Sequence, residues 1–547
     1  MYVLPGGHNV NSDQMTENGL IYDMLVVLLY FVVILTAGVI VSRRHREDSA
    51  RDFMTGGRTL NWVRTGLALV AMSIDTGIMG VAGIGFVWGL TIHPNAVNFW
   101  ITAPVAAMFL IPIYWRTKIV TTPELLEKRF NSSNRALFSA LMTLMNIIVL
   151  GTSIYLGGLI LQMIFNWNLF ISCAVIMGIV GLYVLMGGMK TVLSINIYQA
   201  VFITLALLTV GIVCVVKVGG LWEFLHLPTL NKIGHPMPST LLPVDLSIRS
   251  RSWYAFPAGL VWAALGGTAW IACNFNMAQR LLAAKNEEHA QKAMLFTGTG
   301  ATVLFFTAYV IGVCVNSLEP ELEADKSYVY AILNLFPAGI RGLMIAGLIA
   351  SLISTIDGLL TASGTLVTQD IYLRFIRPEA ADHRIKRFSR VVQAAALAIA
   401  FLLIPLSAKE ETVTRLIQDL VSIPLGVIIA VFLLAVFSTR ATPWATFAGA
   451  LSGTILMIFI YFAFPDINFM NRGIFGFFTV LLVASLLSRF EKAPAREDLK
   501  NLTVFTLEGV PGPWVGQYSW GNLWKWIAGM VIGWFGFTAL WEWMIRV

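Results

Sequence analysis

Two carboxylates, Asp75 and Asp357, lie deep inside long apolar stretches of this sequence. An Asp at the centre of a membrane helix costs roughly 2.5–3.5 kcal/mol on insertion scales, so it faces a cavity or a partner. Each is either a group that binds an ion or solute, or a structural Asp that is hydrogen-bonded or protonated by desolvation. Asp75 stands in LALVAMSIDTGIMGVAGIG (67–85), among Gly77, Gly80, Gly83 and Gly85. Glycine weakens a helix and lets ligands approach the backbone. The combination predicts a helix broken in mid-membrane, against the alternative of a straight helix with packing glycines. Asp357 stands in GLIASLISTIDGLLTASGTLVTQDIY (347–372). There Ser351, Ser354 and Thr355 share one helix face by their i, i+3, i+4 spacing, and Gly358 and Thr361 continue it. Hydroxyl oxygens are hard ligands that suit a dehydrated alkali cation; the competing role is hydrogen bonding within or between helices. A third stretch, VWAALGGTAWIACNFN (261–276), carries Gly266, Gly267, Asn274 and Asn276 and predicts a second break.

These groups need elements to hold them, and the composition says which. Of the 547 residues 57% are hydrophobic and 12% charged, against roughly 25% charged in soluble domains. A helix crosses a bilayer with roughly 20 apolar residues, and such runs occur at about 20–42, 62–90, 95–115, 134–163, 166–188, 192–217, 253–275, 292–317, 338–373, 387–407, 415–439, 443–465, 472–489 and 523–545. This predicts an all-α integral membrane protein of about fourteen transmembrane helices. Two interrupted helices five spans apart point to two inverted five-helix repeats.

Basic residues cluster after the first, third, seventh, ninth and thirteenth runs, for example Arg43, Arg44 and Arg46, or Arg280, Lys285 and Lys292. With alternating spans these loops share one side, the cytoplasmic one. Both termini are then extracytoplasmic, in a multi-pass protein of the plasma membrane. The formal net charge of +7 is therefore about orientation, and nucleic acid is not an expected partner. Cys173, Cys214, Cys273 and Cys314 all lie in apolar runs without CxxC spacing and read as small buried hydrophobes. Residues 1–19 hold no Lys or Arg and no cleavable signal pattern. No histidine lies deep in a span, and no nucleophile motif stands near a base, so an enzyme is not expected.

Several motifs together resemble the sodium:solute symporter family, which includes bacterial sodium/proline, sodium/galactose and sodium/sialate symporters and human sodium/glucose cotransporters. They are DFMTGGRTLNW (52–62), TTPELLEKRF (121–130), LMGGMKTVLSINIYQ (185–199), AQRLLAAKNEEHAQKAMLF (278–296), FPAGIRGLMIAGLIASLIST (336–355) and DIY (370–372). Thr191 departs from the usual small residue. The resemblance implies the LeuT-type fold, with one helix before the ten-helix core and three after it. The expected organisation is an external N-terminus, first helix and cytoplasmic loop (1–61), a first repeat (62–217), an outer loop (218–252) and a second repeat (253–439). Two accessory helices (440–489), a cytoplasmic linker (490–522) and a last helix (523–547) follow.

The resemblance also implies a main sodium site from the backbone of Val70, Ser73 and Ser351 with the hydroxyls of Ser354 and Thr355. Some members hold a second cation between an Asp on the fifth core helix and serines on the eighth. Here the Asp position is Asn196 and one serine position is Asp357, so Asn196, Asp357 and Gly358 are expected to face each other around a second cation or a proton. Substrate candidates are Asp75, Thr76, Gly77 and Asn274. Gly77 stands where galactose-type members carry a sugar-binding Gln. Asp75 resembles an Asp of the proline symporters that supports sodium binding, and it could instead pair with a substrate ammonium. The expected function is sodium-coupled symport by alternating access, with sodium as coupling ion and no other cofactor or metal, in a monomer. The expected solute is an amino acid, amine or small zwitterion, the alternative a sugar or monocarboxylate. A solute sensor on the same fold would need a signalling domain, and 490–522 is too short for one.

Overall fold

The computed structural model describes residues 17–44, 49–73, 77–186, 188–227, 258–407 and 413–507, together with Ile532 and Gly536. The expected last helix (523–545), most of the outer loop, and Asp75 and Thr76 lie outside the described residues. Helix α1 is Glu17–Arg44. The predicted broken helix is α2 (Trp62–Ser73) and α3 (Gly77–Trp88), whose axes differ by 53°. Helix α4 (His93–Val105) continues through a π-helical turn, and α5 (Thr122–Arg129) is the short amphipathic segment. Then come α6 (Ser132–Phe165), α7 (Leu169–Met186) and α8 (Met189–Lys217). The second half opens with α9 (Ala258–Thr268) and α10 (Phe275–Leu281), joined by a π-helical turn at Ala269–Cys273. It continues with α11 (Glu287–Leu318), α12 (Ile340–Leu366, extended as a π-helix over Val367–Ile376) and α13 (Asp382–Leu402). Helices α14 (Val413–Phe437), α15 (Pro443–Ala463) and α16 (Phe469–Leu487) end the described bundle.

Among the described residues nine helices are long and apolar enough to cross a membrane, ten if the bent α2–α3 pair counts as one span. Shorter apolar helices occupy Leu169–Leu182 and Val261–Cys273. The exposed faces carry the apolar residues that lipid requires: Leu25, Leu28, Leu29 and Val32 on α1, Leu205, Ile212 and Val216 on α8, and Ile455, Phe459 and Phe462 on α15. All four cysteines are buried.

Helix α12 is the axis of the molecule. Every residue from Met344 to Leu366 is buried, a rod about 34 Å long at 1.5 Å per residue. A helix apolar all round belongs inside a bundle, and α12 packs on α1, α2, α6, α8, α10 and α13. Its N-terminal end is held by Asp23 of α1. That carboxylate accepts from the backbone N–H groups of Gly339 and Gly342, each at 2.8 Å, and pairs with the buried Arg341.

The glycines of the first broken helix serve packing. A Cβ at Gly85 would lie 2.6 Å from the carbonyl oxygen of Tyr309, and one at Gly312 would lie 1.9 Å from that of Ala82. Helices α3 and α11 thus cross backbone to backbone, as small-residue membrane interfaces allow.

At the other end of the bundle, motifs far apart in sequence lock together. Arg135 of α6 donates to Asp370 at 2.7 Å and to Glu127 at 2.7 Å. Arg374 donates to Glu127 at 2.6 Å, and Thr121 donates to Asp370 at 2.6 Å. Burial pushes the Glu127 carboxyl up, but the hydrogen bonds and charges of Arg135 and Arg374 outweigh it and hold the pKa below its ordinary 4.5. A lowered folded-state pKa contributes stability above the ordinary value, lost as pH falls through the folded value. Glu127→Gln is therefore expected to lower the thermal unfolding midpoint in detergent at neutral pH. The difference from the wild type should shrink as pH falls below 4.5. A gap that is independent of pH would exclude this charge network as its cause.

Candidate functional site: two broken helices against α12

The last described residues of α2, Val70, Ala71, Met72 and Ser73, are buried beside the 53° bend between α2 and α3. Lipid satisfies no backbone oxygen, so any that a break frees needs a neighbouring helix. The Ser354 hydroxyl on α12 lies 2.8 Å from the carbonyl oxygen of Ala71 and 2.8 Å from that of Ser351. The Thr355 hydroxyl donates to the Ser351 carbonyl at 3.2 Å, and the Ser73 hydroxyl to Leu69 at 2.8 Å. Ser351, Ser354 and Thr355 are all buried. Carbonyl and hydroxyl oxygens of two helices thus converge, with a helix C-terminus, the negative end of its dipole, among them. That is a neutral, oxygen-rich cradle for a small cation. The bond from Ser354 to α2 falls on Ala71, one residue beyond the expected Val70.

The second break falls at Asn274. Its backbone is extended (φ −67°, ψ 129°) between the π-helical turn and α10. The freed backbone is paired: Asn274 donates to the Ala269 carbonyl at 2.8 Å, and the Tyr114 hydroxyl donates to that of Ala272 at 2.8 Å. The Gly266–Gly267 pair, expected to mark the break, lies within or at the end of the continuous α9. A Cβ at Gly267 would meet Asn98 at 2.9 Å, so this glycine admits a neighbour. Asn274 and Asn276 are fully buried, and no side-chain hydrogen bond is made by either amide among the described residues. Gly77 begins α3.

Asp357 is fully buried one turn beyond Ser354. Asn196 of α8 faces it. With the amide oriented to suit its neighbours, the Asn196 nitrogen donates to Asp357 Oδ2 and Gln199 Oε1 at 3.0 Å, and its oxygen accepts from Arg280 Nη2 at 3.0 Å. The reverse orientation leaves it the 3.4 Å contact to Asp357 Oδ1 and turns its NH2 toward the guanidinium, donor against donor. Arg280 Nη2 stands 3.5 Å from Asp357 Oδ1, and Nη1 donates to the Asn276 carbonyl at 3.1 Å. A Cβ at Gly358 would lie 2.7 Å from Arg280 Nη2, so a larger residue there would displace the guanidinium.

Arg280 is the residue that sequence reasoning misplaced. Its neighbourhood in a basic stretch assigned it to a cytoplasmic loop after a span ending near 275, whereas α10 runs on to Leu281 and Arg280 is fully buried. The signal was present: Asn276 and Arg280 stand at i and i+4, and a carboxylate as deep as Asp357 requires a cationic or protonic partner.

A helix broken in mid-membrane beside a hydroxyl-bearing helix, with a second break facing it, is the architecture of an ion-coupled secondary transporter. The chain belongs to the sodium:solute symporter family, whose pattern matches residues 53–456. It is 28% identical over 499 residues to a sodium/glucose cotransporter of Vibrio parahaemolyticus, covering 86% of this chain and 90% of that one. It is 26% identical to the sodium/myo-inositol cotransporter of Mus musculus, covering 88% of this chain and 75% of the relative. The fold matches that of a Na+-coupled sialic acid symporter in a substrate-bound outward-open state, with a TM-score of 0.76 at 18% identity over 86% and 98% of the two chains. It also matches Mhp1, a nucleobase-cation-symport-1 family transporter, in its closed conformation (TM-score 0.51, 14% identity, 84% and 98% covered). The protein is thus a multi-pass sodium-coupled solute symporter of the LeuT fold and not an enzyme.

Removing one hydroxyl from the cradle should cost what a hydrogen bond to a charged group contributes, about 1.5–3 kcal/mol. Ser354→Ala is therefore expected to weaken sodium binding by about tenfold to a hundredfold, measured as sodium-dependent thermal stabilisation of the purified protein. An unchanged sodium midpoint would remove Ser354 from the site.

Proposed function

We propose that the chain couples inward sodium movement to uptake of a small, neutral, hydroxyl-rich solute, a sugar or cyclitol. The observation that carries this reading is Asn274, buried at the second helix break with both amide atoms unpartnered among the described residues. A carboxamide offers one acceptor and two donors, which suits hydroxyls that both give and accept a hydrogen bond. Asn276 adds a second such group in the same short helix. The named relatives move glucose and myo-inositol with sodium. This reverses the sequence-based preference for an amino acid, amine or zwitterion. That preference rests on Asp75, which lies outside the described residues, and it stays the second reading because a carboxylate in a low-dielectric site pairs strongly with an ammonium.

In this reading sodium binds among Val70, Ser73, Ser351, Ser354 and Thr355, and the solute binds beside it at Asp75, Thr76, Gly77 and Asn274. Sodium bridging α2 and α12 favours the conformation in which the solute site is complete, so each ligand strengthens the other by the same factor. With both bound, the bundle rocks and the site opens inward. Low internal sodium and the membrane potential, roughly 2.3 kcal/mol per charge per 100 mV, then favour release. The setting is the plasma membrane, with both termini outside.

Uptake of labelled glucose, galactose, myo-inositol, proline and choline into proteoliposomes, with sodium or potassium outside, tests the reading. Sodium-dependent accumulation of a polyol is expected, reduced about tenfold or more in Asn274→Ala, since an unmatched buried hydroxyl is costly. Accumulation of proline or choline alone would favour the Asp75 reading.

A further inference from the structure

We propose that Arg280 is a tethered cation which permanently neutralises Asp357, so that this transporter binds a single sodium ion. The inference rests on the sodium-coupled reading above. Asp357 lies on α12, two and three residues from Thr355 and Ser354, at 0% exposure. A bare carboxylate so close to an alkali-ion cradle would draw a second cation, because an uncompensated buried charge is strongly disfavoured. Three elements close around it. Asn196 from α8 presents a neutral amide. Arg280 from α10 presents a guanidinium 3.5 Å away. Gly358, on α12 itself, presents no side chain and thereby admits Arg280 Nη2 together with the Met72 thioether of α2.

Among the described residues this cluster carries one carboxylate and one guanidinium, which sum to zero. A sodium ion entering it would meet an acceptor already engaged and a like charge beside it, and the low dielectric that strengthens attraction strengthens that repulsion equally. Arginine cannot give up its proton under these conditions, so the neutralisation does not switch off with pH. The remaining contacts fix the guanidinium in place. Nη1 donates to the Asn276 carbonyl at 3.1 Å, and Asn196 accepts from Nη2 while donating to Asp357 and to Gln199. Gln199 in turn donates to the Tyr30 hydroxyl of α1 at 3.1 Å. The cluster therefore joins the second broken helix to α8, α12 and the outer helix α1, next to the sodium cradle.

The test is the number of sodium ions bound per chain, read with radioactive sodium on the purified full-length protein in potassium chloride, with sodium as the sole probe and no solute. The wild type is expected to bind one, lost in Ser354→Ala. Two in the wild type would overturn the tethered-cation assignment alone, whereas none would overturn the sodium-coupled function and the assignment with it. Arg280→Gln frees Asp357 and is expected to bind two, and a count that stays at one in folded Arg280→Gln would overturn the assignment. If Arg280→Gln folds only in high sodium, sodium has taken the place of the guanidinium, which supports it. If that variant fails in all sodium while the charge-neutral Arg280→Gln/Asp357→Asn folds, the uncompensated carboxylate is what unfolds it, which supports the assignment. Should neither variant fold, the wild-type count decides.

Discussion

A helix that stops halfway across a membrane leaves carbonyl oxygens that lipid cannot satisfy, and most of this architecture answers that constraint. At the end of α2 the answer is Ser354, whose hydroxyl reaches the Ala71 carbonyl from the most deeply buried helix in the molecule. At the second break it is Tyr114 and the local π-helical pairing around Ala269 and Ala272. The difference is instructive. The second break is closed by groups of the protein itself, and the buried amides of Asn274 and Asn276 beside it make no side-chain hydrogen bond among the described residues. At the first, the one hydroxyl proton of Ser354 is shared between two carbonyls among the described residues, with hydroxyl lone pairs left over.

Helix α12 can serve as the partner because it is fixed elsewhere. Asp23 and Arg341 pin its N-terminal end, and the Glu127, Arg135, Asp370 and Arg374 network pins its C-terminal end. Near the latter the DFMTGGRTLNW segment is tied to the second broken helix as well: Leu60 exchanges backbone hydrogen bonds with Ala283 and Lys285, and Gln279 donates to the Met54 carbonyl at 2.7 Å. The two broken helices are thus cross-linked to each other and to α12 at this end by short-range polar contacts. Any opening at this end has to break or carry along this set.

Apolar periodicity made the helices legible, and the hydroxyl spacing of Ser351, Ser354 and Thr355 made one face of α12 legible. Glycine was the ambiguous letter. Gly83, Gly85 and Gly267 admit close neighbours, whereas α2 and α3 diverge by 53° and the second break falls at Asn274, so a glycine in a membrane helix marks packing as readily as it marks a bend. Arg280 was misread for a physical reason: a basic residue at the end of an apolar run is normally cytoplasmic, and only the need of Asp357 for a counter-charge argues otherwise. Pairings across more than seventy residues, such as Arg280 with Asp357 or Arg135 with Asp370, leave no periodic trace in the sequence. The π-helical extension of α12 likewise had no pattern to announce it.

The charge state of the Asp357 cluster matters because it sets how far a solute can be concentrated. One sodium ion moving down a tenfold gradient releases about 1.4 kcal/mol, and a potential of 100 mV adds roughly 2.3 kcal/mol. Together they hold a neutral solute at a few hundredfold excess inside. A second ion would square that ratio, to roughly 250,000-fold, and make the carrier correspondingly harder to reverse. A chain that carries its own guanidinium beside Asp357 keeps the buried carboxylate, and the helix contacts it organises, without adding the charge of a second ion to each cycle. Under the proposed assignment the cluster ties α8, α10 and α12 together whether or not sodium is bound, while the cradle at Ser354 alone responds to the gradient. Structural cohesion and ion coupling are thereby divided between two groups one turn apart on the same helix.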